Sequence, residues 1–535
     1  MKRFADALER IAKKTIELFA LFLFFVITIL GAFRSAYLKD GYGQKMFFYK
    51  DSLLLNLLFA IVLLFIMKII ADWIVKDLDK RRRMLLLFTL AYTFCLSLGW
   101  AAVSKSFPTA DQASVYYGAK HFAADYFAEI AEKNSYFSCY PHQMGLALFY
   151  EVILRIFHTE SFHLLQAVNA VCNCVTVLSL YKICTLLFEE KKISIYFLLL
   201  VGVCFPLFWY TPFVYGELPS FAFSFFGVWM LLEAILGKGE KKFIFPGISL
   251  GSFFVATLVR KNTLILIIAV VLALGVYLLK TRKYFYAIYL GLLILMCSQA
   301  NNLAIKSYEI RSGNQLNDGV PGISHVVMGL QESEYAPGWY NGFNFVTYTE
   351  KAGYDQKEAV RLSLLALNER LDVFKSDPTY AINFFTDKFM AEWLNTGYAC
   401  FDSTAGKYYE RLPVVESLYS GNGFYVARFF MDKYQFVIYF LALLFIACNL
   451  GMGKRKNRNK PESEGNNKVC SVSVLHYILL ATVLGGAVFY LAWEGSGRYI
   501  LPYFVMTIPY AAAGLEKVDK WIFSGLTFKK KKTIV

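Results

Sequence analysis

Apolar residues run through this chain in long blocks, and short clusters of Lys and Arg separate the blocks. A membrane-crossing helix needs about 20 consecutive apolar residues. Twelve runs are candidates: 16–36, 52–75, 84–104, 162–187, 193–211, 218–236, 243–259, 262–280, 284–301, 434–451, 471–492 and 499–516. The basic clusters sit at Lys2 to Lys14, Lys80 to Arg83, Lys191-Lys192, Lys238 to Lys242, Lys280 to Lys283, Lys454 to Lys460 and Lys529 to Lys532. Cytoplasmic loops concentrate Lys and Arg, so an even number of crossings must separate each cluster from the next. The twelve runs satisfy this provided that 142–157 (HQMGLALFYEVILRIF) does not cross. That segment is short and carries Glu151 and Arg155, which suits a helix lying at the outer interface.

The pattern predicts an all-α polytopic membrane protein of about twelve transmembrane helices with one mixed extracytoplasmic domain. It divides into an N-terminal hairpin (1–83), a membrane core (84–301) with an outer loop at 105–161, an outer domain (302–433), and C-terminal spans with a basic tail (434–535). Both termini fall in the cytoplasm and the protein in the cytoplasmic membrane. Residues 113–133 have helical spacing, as do 356–376, stopped by Pro378, and about 379–395. Residues 302–350 are rich in Gly, Asn and aromatics without a helical period, and 452–469 is a polar cytoplasmic loop.

Composition agrees. Of 535 residues, 57% are hydrophobic and 18% charged, with mean hydropathy +0.45, which excludes a soluble protein of this size. The net charge of +15 is spread over many short loops, as the positive-inside rule and attraction to anionic lipids require, and not gathered for nucleic acid. The first apolar run is long and lacks a small-residue cleavage motif, so it reads as a retained span. Most Cys lie inside apolar runs. Cys172 and Cys174 point to different faces of one helix and make a poor metal pair. Cys139 and Cys400 fall outside, where pairing is left open.

Once the topology is set, Asp111, Glu217, Arg260, Lys261 and Arg498 all land at the outer ends of apolar runs. An ionisable group at that depth is costly and is a functional candidate by default. Asp111 follows Pro108-Thr-Ala and could equally cap a helix. Glu217 lies in a turn so short that its carboxylate must sit near membrane level; a headgroup-boundary carboxylate is the plainer alternative. Asp125, Glu129 and Glu132 read as the solvated face of the 113–133 helix. Arg260-Lys261 interrupts a long apolar stretch, and Arg498-Tyr499 opens the last span. Such bases suit a phosphate at the bilayer edge, or snorkel to lipid headgroups. Glu494 is near enough in sequence to pair with Arg498. Gln112, His142 and Tyr499 are pocket candidates, and Trp339, Tyr340 and Phe343 could stack on a sugar or fill a core. The chain has no GxxxxGK, HExxH, paired CxxC or nucleophile elbow, which removes support from ATPase and covalent-hydrolase chemistry.

In order along the chain, these motifs resemble the polytopic glycosyltransferases of the GT-C superfamily, in particular bacterial relatives of the protein O-mannosyltransferases (family 39-like). The resemblance rests on Pro108-Thr-Ala-Asp-Gln112, Tyr140-Pro-His-Gln-Met-Gly-Leu146, Glu217, Gly247-Ile-Ser-Leu-Gly251 through Leu258-Val-Arg-Lys261, and Gly497-Arg-Tyr-Ile-Leu-Pro502. It covers about 84–301 and the last span. The chain departs in its added first hairpin, in Gln112 where the mannosyltransferases have a second acid, and in 302–433. The resemblance implies sugar transfer from a polyprenyl-phosphate donor to a cell-envelope glycan, lipid or protein acceptor at the outer face, with inversion. Asp111 would be the general base, Glu217 would position the acceptor or a metal, and Arg260, Lys261 and Arg498 would hold the phosphate. No cofactor is implied with certainty, and a divalent metal is left open. A lipid-linked glycan flippase and a polysaccharide polymerase or ligase are the alternatives.

Overall fold

The computed structural model describes residues 2–38, 45–237, 244–456 and 474–531. Helices dominate: α1 (Lys2–Phe33), α2 (Leu53–Val75), α3 (Leu78–Ser104), α4 (Ala110–Ala123), α5 (Met144–Ile156), α6 (Phe162–Leu187), α7 (Lys191–Gly202), α8 (Glu217–Leu236), α9 (Ile244–Val259), α10 (Leu264–Thr281), α11 (Phe285–Ser312), α12 (Gly322–Gly329), α13 (Gln356–Ser376), α14 (Pro378–Trp393), α15 (Asn422–Lys456), α16 (Ile478–Ala492) and α17 (Gly497–Lys531). Short helical turns join them. A lipid environment favours this, because a helix satisfies its backbone polar groups internally. Among the described residues nine helices are long and apolar enough to cross a membrane: α1, α2, α3, α6, α8, α10, α11, α15 and α16. The protein is a polytopic α-helical membrane protein.

The other three runs take different forms. The 193–211 run is broken: α7 ends at Gly202 and a short helix, Phe205–Trp209, restarts after it with Pro206 in its first turn. Pro favours the first turn of a helix because its missing N–H is an orphan there anyway. The 243–259 run is a helix of 16 residues, and 499–516 lies within α17, which carries Pro502 and Pro509. The basic clusters at Lys238 to Lys242, Lys454 to Lys460 and Lys529 to Lys532, and the 452–469 loop, fall wholly or partly outside the described residues.

Two expected helix boundaries need correction. The 113–133 helix ends at Ala123, where Asp125 takes a left-handed backbone (φ +58°). Asp125 and Glu132 are exposed, as expected, but they lie beyond the helix, and Asp125 accepts from Arg155 and Arg311 while the half-buried Glu129 pairs with His121. The 284–301 run continues as helix to Ser312. Cys139 and Cys400 are both buried free thiols in separate apolar clusters. The strands β1 (Arg34–Leu38) and β2 (Met46–Lys50) were not expected; they pair antiparallel between α1 and α2. This hairpin docks on the 313–421 segment, with Ala36 N donating to Leu394 O at 3.1 Å and Met46 N to Tyr335 O at 2.8 Å.

Ion pairs mark one end of the helix layer. Lys280, at the end of α10, pairs with Glu9 of α1 at 2.6 Å. Lys192 of α7 pairs with Asp72 of α2 at 2.7 Å and with Asp519 of α17, which Lys68 also reaches at 3.3 Å. Lys261 and Arg498 stand at the other ends of α10 and α17, about 30 Å of helix away at 1.5 Å per residue. That is the thickness of a hydrocarbon core.

Candidate functional site

The end of the layer opposite those ion pairs opens into a cavity of about 590 Å³. Asp111, Gln112, His142, Arg260, Lys261, Arg498 and Tyr499 all line it, so the chain brings together candidates from four separate stretches of sequence.

Asp111 sits in the first turn of α4, whose N-cap is Thr109, so it is not the cap. The preceding Ala110 has φ +48°, a strained conformation of the kind that clusters at functional sites. The Asp111 carboxyl is open to the cavity, and its closest polar partner is the Tyr215 hydroxyl, which donates to Oδ2 at 3.4 Å. Tyr215 in turn accepts from Gln143 Nε2 at 2.9 Å and shares a hydrogen bond with Tyr136 at 2.8 Å. Burial in the cleft pushes the Asp111 pKa up, Arg498 opposes it, Glu494 adds to it, and Tyr215 and Arg260 oppose it further. Because the carboxyl itself meets the cavity, solvent tempers that push.

Glu217 opens α8 behind Gly216, which takes φ +87° and has Leu146 and Val259 where a Cβ would be. Its carboxylate is buried, and Oε1 accepts from Arg260 Nη2 at 2.6 Å. Glu217 does not line the main cavity. It lies in a narrow cleft beneath it that shares Arg260, Asn262, Arg498 and Tyr499 with the cavity and runs down between α8, α10, α16 and α17 past Phe221, Leu266 and Met506. Within the protein its ion-pair partner is Arg260.

The two guanidinium groups flank one ring: Arg260 lies 5.3 Å and Arg498 5.5 Å from the centre of Tyr215. Arg498 also lies over Tyr499 at 5.1 Å and donates to its hydroxyl at 3.3 Å. Among the described residues Arg498 has no ion pair, and its Nε has no hydrogen-bond partner. Glu494 pairs instead with His325, at 3.2 Å from Nδ1, and its own backbone N–H donates to His325 O. The expected Glu494–Arg498 pair is thus replaced, because residues 493–496 are tied to α12 and to the 338–339 turn. Lys261 is exposed to the cavity. Burial, together with Lys261, His325 and Arg260, pushes the His142 pKa down to about 3, so its imidazole is neutral. Gln112 is buried, with its Oε1 accepting from Val214 N at 2.6 Å, so it braces the 211–216 turn. Trp339 and Tyr340 line the cavity; Phe343 does not.

Sequence reasoning missed Tyr215 and His325. Tyr215 could have been found, since it is two residues from Glu217 in a turn too short to leave the site. His325 carries no local signal.

A helical membrane layer capped by a polar cavity at one end defines a polytopic integral membrane protein with an interfacial site. The family model described as a conserved hypothetical integral membrane protein matches residues 8–391, and the chain belongs to that family. The match includes Asp111, Glu217, Arg260 and Lys261 and stops before Arg498. No curated protein and no solved structure matches the chain.

Proposed function

We propose that the protein is a membrane glycosyltransferase that moves a sugar from a polyprenyl-phosphate donor to an acceptor at the outer face of the cytoplasmic membrane, with inversion at the anomeric carbon. One observation carries the reading: Arg260, Lys261 and Arg498, the last without an acid partner among the described residues, face the same cavity as Asp111 at the end of the membrane helices. A phosphate is the complement of such a cation set, and Arg binds it bidentately.

In this reading Asp111 takes the proton of the acceptor hydroxyl as its oxygen attacks the anomeric carbon. The bond from that carbon to the phosphate oxygen breaks, and the electron pair leaves with the phosphate. Arg260, Arg498 and Lys261 stabilise the charge that develops there. Glu217 holds Arg260 in place. Among the described residues no group of three or more His, Cys, Asp or Glu could hold a metal ion, and no step is routed through one.

The test is transfer of labelled sugar from polyprenyl-phosphate donors in membranes carrying wild type, Asp111→Asn or Arg498→Gln at equal protein levels. Turnover should fall on the order of 100-fold or more in each variant, the usual scale of a lost general base or a lost charge-stabilising donor. Turnover that survives both changes would remove the reading. Lipid-linked glycan crossing the bilayer without turnover would favour a flippase.

A further inference from the structure

The cavity has two chemically distinct walls. The cationic wall belongs to the membrane helices and their turns. Another part of the lining comes from the 313–345 segment, the 140–142 turn and the 493–496 turn, and it presents Tyr140, His325, Trp339, Tyr340, Asn344 and Glu494. This wall is built, not incidental. Trp339 pairs with Gly495 through a backbone bridge, and Gly495 N donates to Gly338 O at 2.8 Å. His325 stacks on Trp493 with ring centres 5.3 Å apart and planes 10° from parallel, and the same His325 orients Glu494 at 3.2 Å. Asn344 is 2% exposed, yet its Oδ1 has no partner among the described residues. The Trp339 Nε1 is likewise buried without a partner.

We infer that this wall is the acceptor subsite, and that the acceptor is a neutral carbohydrate. The inference rests on the reading of the cavity as a glycosyl-transfer site and deepens it. Three observations separate a sugar from the other acceptor classes. The backbone groups at 338–339 and 495 are spent on each other, so little main chain is free to pair with an extended peptide. The wall lies outside the membrane spans and offers aromatic rings and a carboxylate, where a lipid acceptor needs an apolar groove into the bilayer. Its acid, Glu494, joins Asp111 and Asp402 on the cavity, so the three cations that a donor phosphate would use are matched by three acids and no surplus positive charge is left for a phosphate or carboxylate on the acceptor. A carboxylate accepting hydroxyl donors, an amide oxygen and flat rings for the apolar faces of a pyranose meet the needs of a polyol.

The experiment uses the full-length detergent-solubilised chain and its own tryptophans, since Trp339 and Trp493 both line the cavity. Fluorescence is titrated with neutral oligosaccharides, polar peptides and labelled polyprenyl-phosphate sugar in wild type, Glu494→Gln, Tyr340→Ala and Arg498→Gln. Tyr340 is 45% exposed, so its truncation leaves the fold intact. Expected is saccharide quenching weakened at least tenfold by Glu494→Gln and by Tyr340→Ala, with donor binding kept in both. Arg498→Gln should do the reverse. Quenching by peptides but not by saccharides would overturn the inference, as would saccharide binding indifferent to both wall variants. No donor response in wild type, or a donor response that Arg498→Gln leaves unchanged, with saccharide binding intact, would count against the cationic wall and the transfer reading, not against the carbohydrate subsite.

Discussion

At the residue scale the site turns on how the cavity charges bias one carboxyl. Asp111 can serve as a base only when deprotonated, and burial raises its pKa above the ordinary carboxylate value of 3.8. Activity should therefore rise with pH along an acidic limb set by that raised value. Arg498 holds the carboxyl down and Glu494 pushes it up, so their removal should move the limb in opposite directions. Arg498→Gln shifts it to higher pH, and Glu494→Gln shifts it to lower pH. A pH profile of kcat/KM for both variants checks this, and parallel shifts would mean that another group sets the limb. Glu217 makes a different demand. It is a buried partner of Arg260, so Glu217→Ala leaves a guanidinium uncompensated. Breaking a buried pair from one side costs about 3 kcal/mol, so the detergent-solubilised variant should melt well below wild type. Glu217→Gln, which keeps one acceptor oxygen, should recover part of that loss.

At the element scale, the 493–498 turn decides whether Glu494 and Arg498 face the cavity, and α14 anchors it. Lys388 of α14 is fully buried and donates to Gly329 O at 2.5 Å, Leu491 O at 3.2 Å and Trp493 O at 2.8 Å. One ammonium thereby caps the C-termini of both α12 and α16. One helical turn later Glu392 lies against Gly495 with its Oε1 unpartnered among the described residues, and burial pushes its pKa up to about 8 despite Lys388. The folded protein then keeps a proton on Glu392 that the unfolded chain releases above its ordinary 4.5. Stability contributed by this group is lost as pH rises from about 4.5 to about 8. Melting temperature measured across that window should fall less steeply in Glu392→Gln, which needs no proton, and an unchanged slope would show that Glu392 is ionised in the fold. Local pattern alone discloses some of these elements and not others. The 356–376 helix is legible to the residue, because its apolar spacing starts after the capping Asp355 and stops before Pro378. The β1–β2 hairpin is not, since RSAYL and MFFYK are short and merge into the apolar blocks on either side. The site is legible where a charge interrupts an apolar run, as at Glu217, Arg260 and Arg498. It is silent where a neutral residue from the outer segment folds onto the cavity, because nothing in the sequence around His325 marks its pairing with Glu494.

At the scale of the whole molecule, the fold sorts its charges into two layers about one hydrocarbon thickness apart. One layer pairs many of its charges: Glu9 with Lys280, Asp72 and Asp519 with Lys192, and Glu190 with Lys520 at 2.8 Å. The other holds cations left open to a cavity. Lys261 and Arg498, which have no ion pair among the described residues, are the cations with most to offer a lipid-linked anion, while Arg260 reaches the cavity already held by Glu217. This asymmetry also turns the side of the cavity into a question with one answer. The positive-inside rule predicts that the layer of Lys192, Lys280 and Lys520 is cytoplasmic and the cavity outside. A cysteine at Tyr340, on the cavity wall, should react with a membrane-impermeant maleimide in intact cells. A cysteine at Glu190, exposed in the opposite layer, should react only after permeabilisation. The native thiols among the described residues are buried or partly buried except Cys95, which lies mid-helix in α3, and Cys470 falls outside the described residues, so the readout uses a background with both Cys95 and Cys470 changed to Ala. The reverse labelling pattern would place the cavity in the cytoplasm, where the substrate would be a cytoplasmic-leaflet lipid, and the charge rule that ordered the twelve runs would have misassigned the side.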